Sequence, residues 1–443
     1  MEKYMPQMTE ALQKLISFNS VAAKKAHGAP YGREINSALL YALSLCGSLG
    51  FRVKNLDNRC GYAEIGEGEV FGVLCHLDVV PFNASDWKYP PLGGRVADGK
   101  LYGRGALDDK GPTIAAVFAV KALIDKGFVF KKRVRFIFGL DEETGEWDSL
   151  RYYMEKEGMP SVGIAPDADF PVINSEKGKV DLLLKARCKP DCHVKAFFAG
   201  QRSNIVPDSA YMIVAYDKNI TDAANAAGFR VEQTQFDKKD GFVKISTLGK
   251  AAHGAHPEQG ENAAVKLLKL LYALNIQPYA RIYTAIFDFN GKGLSIEFED
   301  AISGKLTINA GIFKTSKAGG VIGVELDIRH PHNVSKDELL DIVRNKNPLF
   351  AFKLLAFHRP LFVPKDDPLV KTLLNAYNKI TGENAKPLSI GGATFARALN
   401  YGVAFGPVFP NSVSTVHEAD EYISISDFLQ TARIYHEAFK NLL

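Results

Sequence analysis

Val73-Leu74-Cys75-His76-Leu77-Asp78-Val79-Val80-Pro81 reads as the end of a buried strand: an apolar run leads in and a proline stops it. His76 and Asp78 stand two positions apart inside it. On an extended chain, residues i and i+2 share a face, so the carboxylate can lie beside the ring. A carboxylate that accepts one ring N–H fixes the tautomer and aims the other nitrogen outward, the usual support for a metal-ligating histidine. Taken alone, the pair reads equally well as an ordinary salt-bridged histidine. The rest of the chain decides between the two.

Outward from this strand, helices alternate with apolar segments. Residues 2–18 and 33–49 carry helical periodicity, and strand-like runs follow at 51–56, 61–65 and 70–80. Asp109 and Pro112 suit the start of a helix running to about Lys126. Val134–Leu140 is a continuous apolar strand, Trp147–Lys156 a helix, and Ile164 ends a further strand before Pro166-Asp167. This alternation predicts an α/β fold whose sheet is mixed and largely parallel, flanked by helices. Near residue 180 the pattern turns to half-buried alternation, with helices at 220–229, 262–274 and 335–345 and a strand pair at 306–315 and 321–328 joined by Ser316-Lys317-Ala318-Gly319-Gly320. That is α+β. The α/β character returns from about Arg359. The organisation expected is therefore a catalytic domain of residues 1–180 and 359–443 with an inserted α+β lid domain of residues 181–358. No internal repeat is evident.

A chain of 443 residues suits more than one core, and 46% hydrophobic with 23% charged residues is ordinary for a globular protein. A net charge of +4 over 54 basic and 50 acidic residues, without a basic cluster interleaved with aromatics, argues against nucleic acid. No apolar run approaches the roughly 18 residues of a membrane span. Five scattered cysteines fit free thiols, and Met1–Met5 lacks an apolar signal core, so a cytoplasmic location is expected.

The unusual residues gather where strands end, where open α/β sheets place their functional groups. Asp108 and Asp109 follow Gly103-Arg104-Gly105-Ala106-Leu107; Glu142 and Glu143 follow Phe136–Leu140; Asp167 and Asp169 follow Ile164; His417 lies in Thr415–Glu421. Each has a plain reading as a helix cap, a turn residue or a surface histidine. Together, so many acids would repel one another unless something positive sat among them. Two histidines and three carboxylates, one bridging, suit a pair of divalent ions about 3.5–4 Å apart, and a further carboxylate suits a general base.

These motifs resemble the co-catalytic zinc peptidases that include carnosinase, aminoacylase and succinyl-diaminopimelate desuccinylase. The matching segments, in order, are His76–Pro81, Gly103–Gly111, Asp141–Gly145, Pro166–Ala168 and His417, with Asn204–Pro207, Ala252–Ala255 and Asp327–Arg329 in the insertion. Within that family the likeness is greatest to the bacterial dipeptidase V group, through Asp108–Thr113, Pro166–Pro171 and Gly391–Pro407. The resemblance implies that His76 and Asp167 bind one metal, Glu143 and His417 the other, and that Asp108 bridges them. It implies Asp78 as the partner of His76, Glu142 as general base, His253 as the lid group that stabilises the oxyanion, and Asn204 and Arg329 as substrate-binding residues. Asp109 is left to helix capping. Cys75, Glu146 and Ala393 depart from the family pattern, and Cys75 raises the question of whether a thiol faces the metals.

The function this implies is hydrolysis of dipeptides by a metal-bridged hydroxide, with zinc as the first candidate and manganese or cobalt as alternatives. Deacylation of N-acyl amino acids or desuccinylation is the alternative on the same site, and a catalytically silent binding protein a third reading. The partner expected is a small peptide substrate, with no nucleic acid and no membrane. A monomer is favoured, with a homodimer left open.

Overall fold

The computed structural model describes residues 1–189, 192–316 and 320–443. The chain divides into two units. The first comprises Met1–Ser175, Leu361–Leu388 and Ala393–Leu443, and the second Glu176–Pro360 and Ser389–Gly392.

The first unit is built on strands too apolar to have a wet face. Val70–His76 runs parallel to Arg133–Gly139 on one side and to Val162–Ala165 on the other, and Gly402–Ala404 runs parallel beyond Val162–Ala165. Cys60–Ile65 and Arg52–Leu56 add antiparallel strands at the Arg133–Gly139 side. Strands buried on both faces need helices above and below. Lys110–Ile124 is covered almost all round, as its unbroken apolar sequence requires, and it packs on the carboxyl-terminal helix Ile425–Leu442. Met5–Ile16 and Arg33–Ser48 join the same core through Leu12, Leu15, Ile35 and Leu39. Mixed α/β architecture is thus present as read. The strand expected over 70–80 ends at His76, because the chain leaves the sheet there to place Asp78.

In the second unit, among the described residues, eight antiparallel strands form one sheet in the order 230–236, 239–248, 209–215, 194–199, 307–315, 321–330, 178–187 and 351–358. Residues alternate as a one-sided sheet demands: Leu182, Leu184, Met212, Ile245, Val324 and Leu326 point into one core with the helices Ala263–Ala273, Tyr279–Ile286 and Lys336–Lys346. The sequence carries no visible repeat, yet the sheet has two halves of like order. Val194–Ala199, Ser209–Ala215, helix Lys218–Ala226 and Arg230–Phe236 match Thr307–Thr315, Val321–His330, helix Lys336–Lys346 and Ala351–His358. Hydrophobic alternation suffices to build both halves, so no residue identity need be shared. The strand pair 306–315 and 321–328 forms; residues 317–319 of its connection lie outside the described residues. Among the described residues no helix is long and apolar enough to cross a membrane.

Candidate metal centre and active site

Three neighbouring parallel strands deliver the key groups at their carboxyl ends. Val70–His76 ends on His76, Arg133–Gly139 leads to Asp141, Glu142 and Glu143, and Val162–Ala165 leads through Pro166 to Asp167. The turn before helix Lys110–Ile124 supplies Asp108, and the loop before Tyr422–Ser424 supplies His417.

His76 Nε2 lies 2.9 Å from Asp108 Oδ1. His417 Nε2 lies 3.2 Å from Asp108 Oδ2 and 3.0 Å from Glu143 Oε1. Asp108 therefore offers one oxygen to each histidine, the arrangement a bridging carboxylate needs. Donor atoms of His76, Asp108 and Glu143 all fall within 4.8 Å of one another. Asp167 shares the wall of a cavity of about 180 Å³ with Asp108, and one of its oxygens accepts the Phe395 N–H at 3.2 Å.

Asp78 does more than face the ring. Its own backbone carbonyl is 3.0 Å from His76 Nδ1, nearer than its carboxylate at 3.5 Å. The carboxylate accepts the backbone N–H groups of Glu142 at 3.1 Å and Glu143 at 2.9 Å. One buried aspartate thus aims the histidine and fixes the loop that carries the two adjacent glutamates. Asp109 occupies the helix N-cap position, but its side chain caps nothing. It accepts the His76 N–H at 3.1 Å and the Thr113 hydroxyl at 3.0 Å instead, which corrects the capping assignment.

Two supporting residues carried no signal beyond their place in the motifs. Glu421 is buried and accepts the N–H groups of Gly105 (3.0 Å), Leu107 (2.8 Å) and Asp108 (3.2 Å) together with Arg104 Nη1 (2.7 Å). Arg104 Nη2 donates to the His417 carbonyl at 3.3 Å. This ion pair ties the loop of Asp108 to the loop of His417. Such a tie is visible only once distant segments meet.

Charge and burial oppose each other here. Burial, with Glu143, Asp167 and Asp108 nearby, holds the Glu142 carboxyl well above its ordinary range despite His76. Burial and Asp108 likewise raise Glu143. Burial would lower the imidazole of His417, but Asp108 and Glu143 push it up to about 10. His76 is also driven up, by Asp108 and Asp78 against the burial cost. Buried carboxylates crowded against two imidazoles leave the site short of positive charge, and two imidazoles with three carboxylates are a donor set that divalent cations fit. Cys75 is fully buried, its thiol raised by burial with Thr113 and Asp109 as neighbours, so the sulfur belongs to the core.

In the second unit, Gly254 N donates to the Asn204 carbonyl at 2.7 Å and Ile205 bridges to His253, so the loops of Asn204 and His253 lie together. Asn309 anchors the first of them, donating to the carbonyls of Ser203 (2.7 Å) and Ile205 (2.9 Å). Arg329 is gripped by Asp327 through Nε at 2.6 Å and Nη2 at 2.9 Å, and its Nη1 donates to the Gly391 carbonyl at 2.8 Å. Gly391 packs on Ala255 so closely that a Cβ there would come within 3.2 Å of it, which brings the Arg329 and His253 segments together. A cleft of about 850 Å³ near Asn204 is lined by Arg202, Ile205, Tyr211 and Lys244 and holds none of the metal-centre residues.

Comparison with known proteins finds relatives along nearly the whole chain. The family model described as Peptidase family M20/M25/M40 matches residues 72–441. The chain is 37% identical over 453 residues to "Putative dipeptidase YtjP" of Bacillus subtilis, covering 97% of this chain and 96% of that protein. It is 38% identical over 459 residues to "Putative dipeptidase" of Staphylococcus epidermidis, covering 98% and 97%. Among solved structures, human carnosine dipeptidase 1 superposes with a TM-score of 0.60 at 16% identity over 100% of this chain and 97% of that one. The metallo-carboxypeptidase Sso-CP2 of Sulfolobus solfataricus gives 0.59 at 17% identity over 98% of each.

Proposed function

The chain belongs to peptidase family M20/M25/M40 and is a peptide-bond hydrolase of a metal-dependent family, and on that premise we propose that it is a dipeptidase working with two divalent ions. The observation that carries the two-ion reading is Asp108, whose two oxygens each face a different histidine. His76 and Asp167 would hold one ion, Glu143 and His417 the other, and Asp108 both. Zinc suits this donor set first, with manganese or cobalt as substitutes. When bound, such ions supply Lewis acidity, lowering the pKa of water and polarising the peptide carbonyl.

Glu142 is the general base. Its carboxyl, raised by burial and the acids around it, is a stronger base than a free glutamate, so it can take the proton of the attacking water and return it to the leaving amine. Asp78 keeps Glu142 and Glu143 in separate tasks by fixing both backbone N–H groups. His253 donates to the oxyanion, and Asn204 orients the substrate. Arg329, held in place by Asp327 and Gly391, presents its remaining N–H groups to the substrate carboxylate. A carboxylate anchor favours peptides that end one residue after the scissile bond. A single chain is the proposed working unit.

The test is a screen of dipeptides, tripeptides and N-acyl amino acids with Zn²⁺, Mn²⁺ and Co²⁺, alongside metal analysis of the active protein. Two equivalents of metal per chain and preferential dipeptide cleavage are expected. One equivalent at full activity would sink the two-ion reading.

A further inference from the structure

The cavity beside the metal centre holds one carboxylate that the mechanism leaves unused. It is lined by Asp108 and Asp167, by Leu107, Ala168, Pro407, Val408 and Val416, and by Ser414 and Asp169. Ala168–Asp169 is a short strand pairing in parallel with Pro407–Val408, with Asp169 opposite Val408. The backbone of Asp169 is spent on that pairing: its carbonyl accepts the Gly406 N–H at 3.2 Å, and Phe170 N donates to the Val408 carbonyl at 2.7 Å. Among the described residues, no hydrogen bond or ion pair reaches the Asp169 carboxylate, although it is partly buried.

A carboxylate taken out of bulk water costs free energy unless a cation or donors meet it. Apart from the general base Glu142, the other acids around this centre have such partners. Asp78, Asp109 and Asp167 accept backbone N–H groups, and Asp108 and Glu143 face histidines. Asp169 stands two residues beyond Asp167 and lines the same cavity, with Ala168 between them also on its wall. That sets a further negative group beside Asp108 and Asp167, on a cavity wall that neither histidine reaches.

We propose that Asp169 receives the free α-ammonium group of the substrate, so that the cavity takes the amino-terminal residue and the enzyme selects unblocked peptides over N-acyl amino acids. The amine of a dipeptide is two bonds from the scissile carbonyl carbon, so its partner has to sit within the same small cavity as the metal ligands. About 180 Å³ is the volume of roughly six waters, enough for one residue of modest size. The apolar walls of Leu107, Val408 and Val416 suit its side chain. This inference rests on the dipeptidase reading and narrows it to substrates with a charged amino terminus.

The test compares alanyl-alanine with N-propionyl-alanine, which differs only by lacking the amine. Wild-type enzyme should prefer alanyl-alanine in kcat/KM. In Asp169→Asn, which keeps shape and loses charge, the ratio of the two should fall roughly 10- to 150-fold, the range of a hydrogen bond to a charged group. Asp169→Ser should lower it similarly. Calorimetric binding of both compounds to Glu142→Gln protein, with and without Asp169→Asn, should show the same change in ratio without turnover. An unchanged ratio while wild-type enzyme cleaves alanyl-alanine overturns the role of Asp169 alone. If wild-type enzyme cleaves neither compound and binds both alike, the dipeptidase reading falls with it.

Discussion

The two units carry their functional residues in opposite ways. In the first, donors converge and are aimed by buried partners: His76 and the loop of Glu143 by Asp78, Asp108 by Glu421, and His417 by the reach of Arg104. Glu143 and His417 meet although 274 residues separate them. In the second, Asn204 and His253 sit on loops beyond antiparallel strands, joined through the backbone and braced by Asn309. Dense, preorganised burial is what holding ions requires, because carboxylates are kept together only by the charge they bind. Loops suffice for groups proposed to touch substrate alone. Substitutions in the first unit should therefore separate into those that change metal content and those that change chemistry, whereas those in the second should change rate or substrate use with metal content intact.

The sharpest break of this comparison lies within one dipeptide. Glu142→Gln should lower kcat by about 10²- to 10⁴-fold with two metals retained, while its neighbour Glu143 governs metal content. Metal analysis decides, and loss of metal from Glu142→Gln would exchange the two roles. Next comes the second unit. Arg329→Lys cannot copy a paired contact to a carboxylate. It should reduce kcat/KM for a free dipeptide by roughly 10- to 150-fold and hardly change that for its amide, at unchanged metal content. Equal losses on both substrates would remove the proposed contact. The smallest effect should come from the buried brace. Glu421→Gln places an amide N–H₂ against N–H groups now accepted by carboxylate oxygens, so chelator competition should show metal affinity weakened by about 10- to 100-fold. Arg104→Ala acts on the same pair, and the double variant should lose less than the two single losses combined.

How much of this was legible depends on range. The strand of His76, the acids at successive strand ends and the alternation of the second unit all stand in local sequence. So did the mixed α/β class, because runs of apolar residues and helical periodicity are short-range signals. The fine roles were not. His76 and Asp78 were paired from i, i+2 spacing, yet the carbonyl of Asp78, rather than its carboxylate, is the nearer partner of the ring, and the carboxylate serves Glu142 and Glu143. Asp109 looked like a cap because that is what aspartate does before a helix; the approach of strand Val70–His76 gave it a stronger use. The likeness between the halves of the second sheet left no trace in residue identities, since a half-buried sheet asks only for alternation.

Sequence alone determined the kinds of donor this protein owns, their order, and that they stand at strand ends. Two histidines and an excess of carboxylates in such places already call for cations. Only tertiary structure decided how they pair: that Asp108 splits its oxygens between two histidines, that Glu421 and Arg104 brace both loops, that Cys75 turns to the core, and that Asp169, among the described residues, meets no partner in the cavity it shares with Asp167. The reason is physical. Donor chemistry is a property of single residues, whereas pairing, burial and the charge they demand arise when segments hundreds of residues apart close on the same few cubic ångströms.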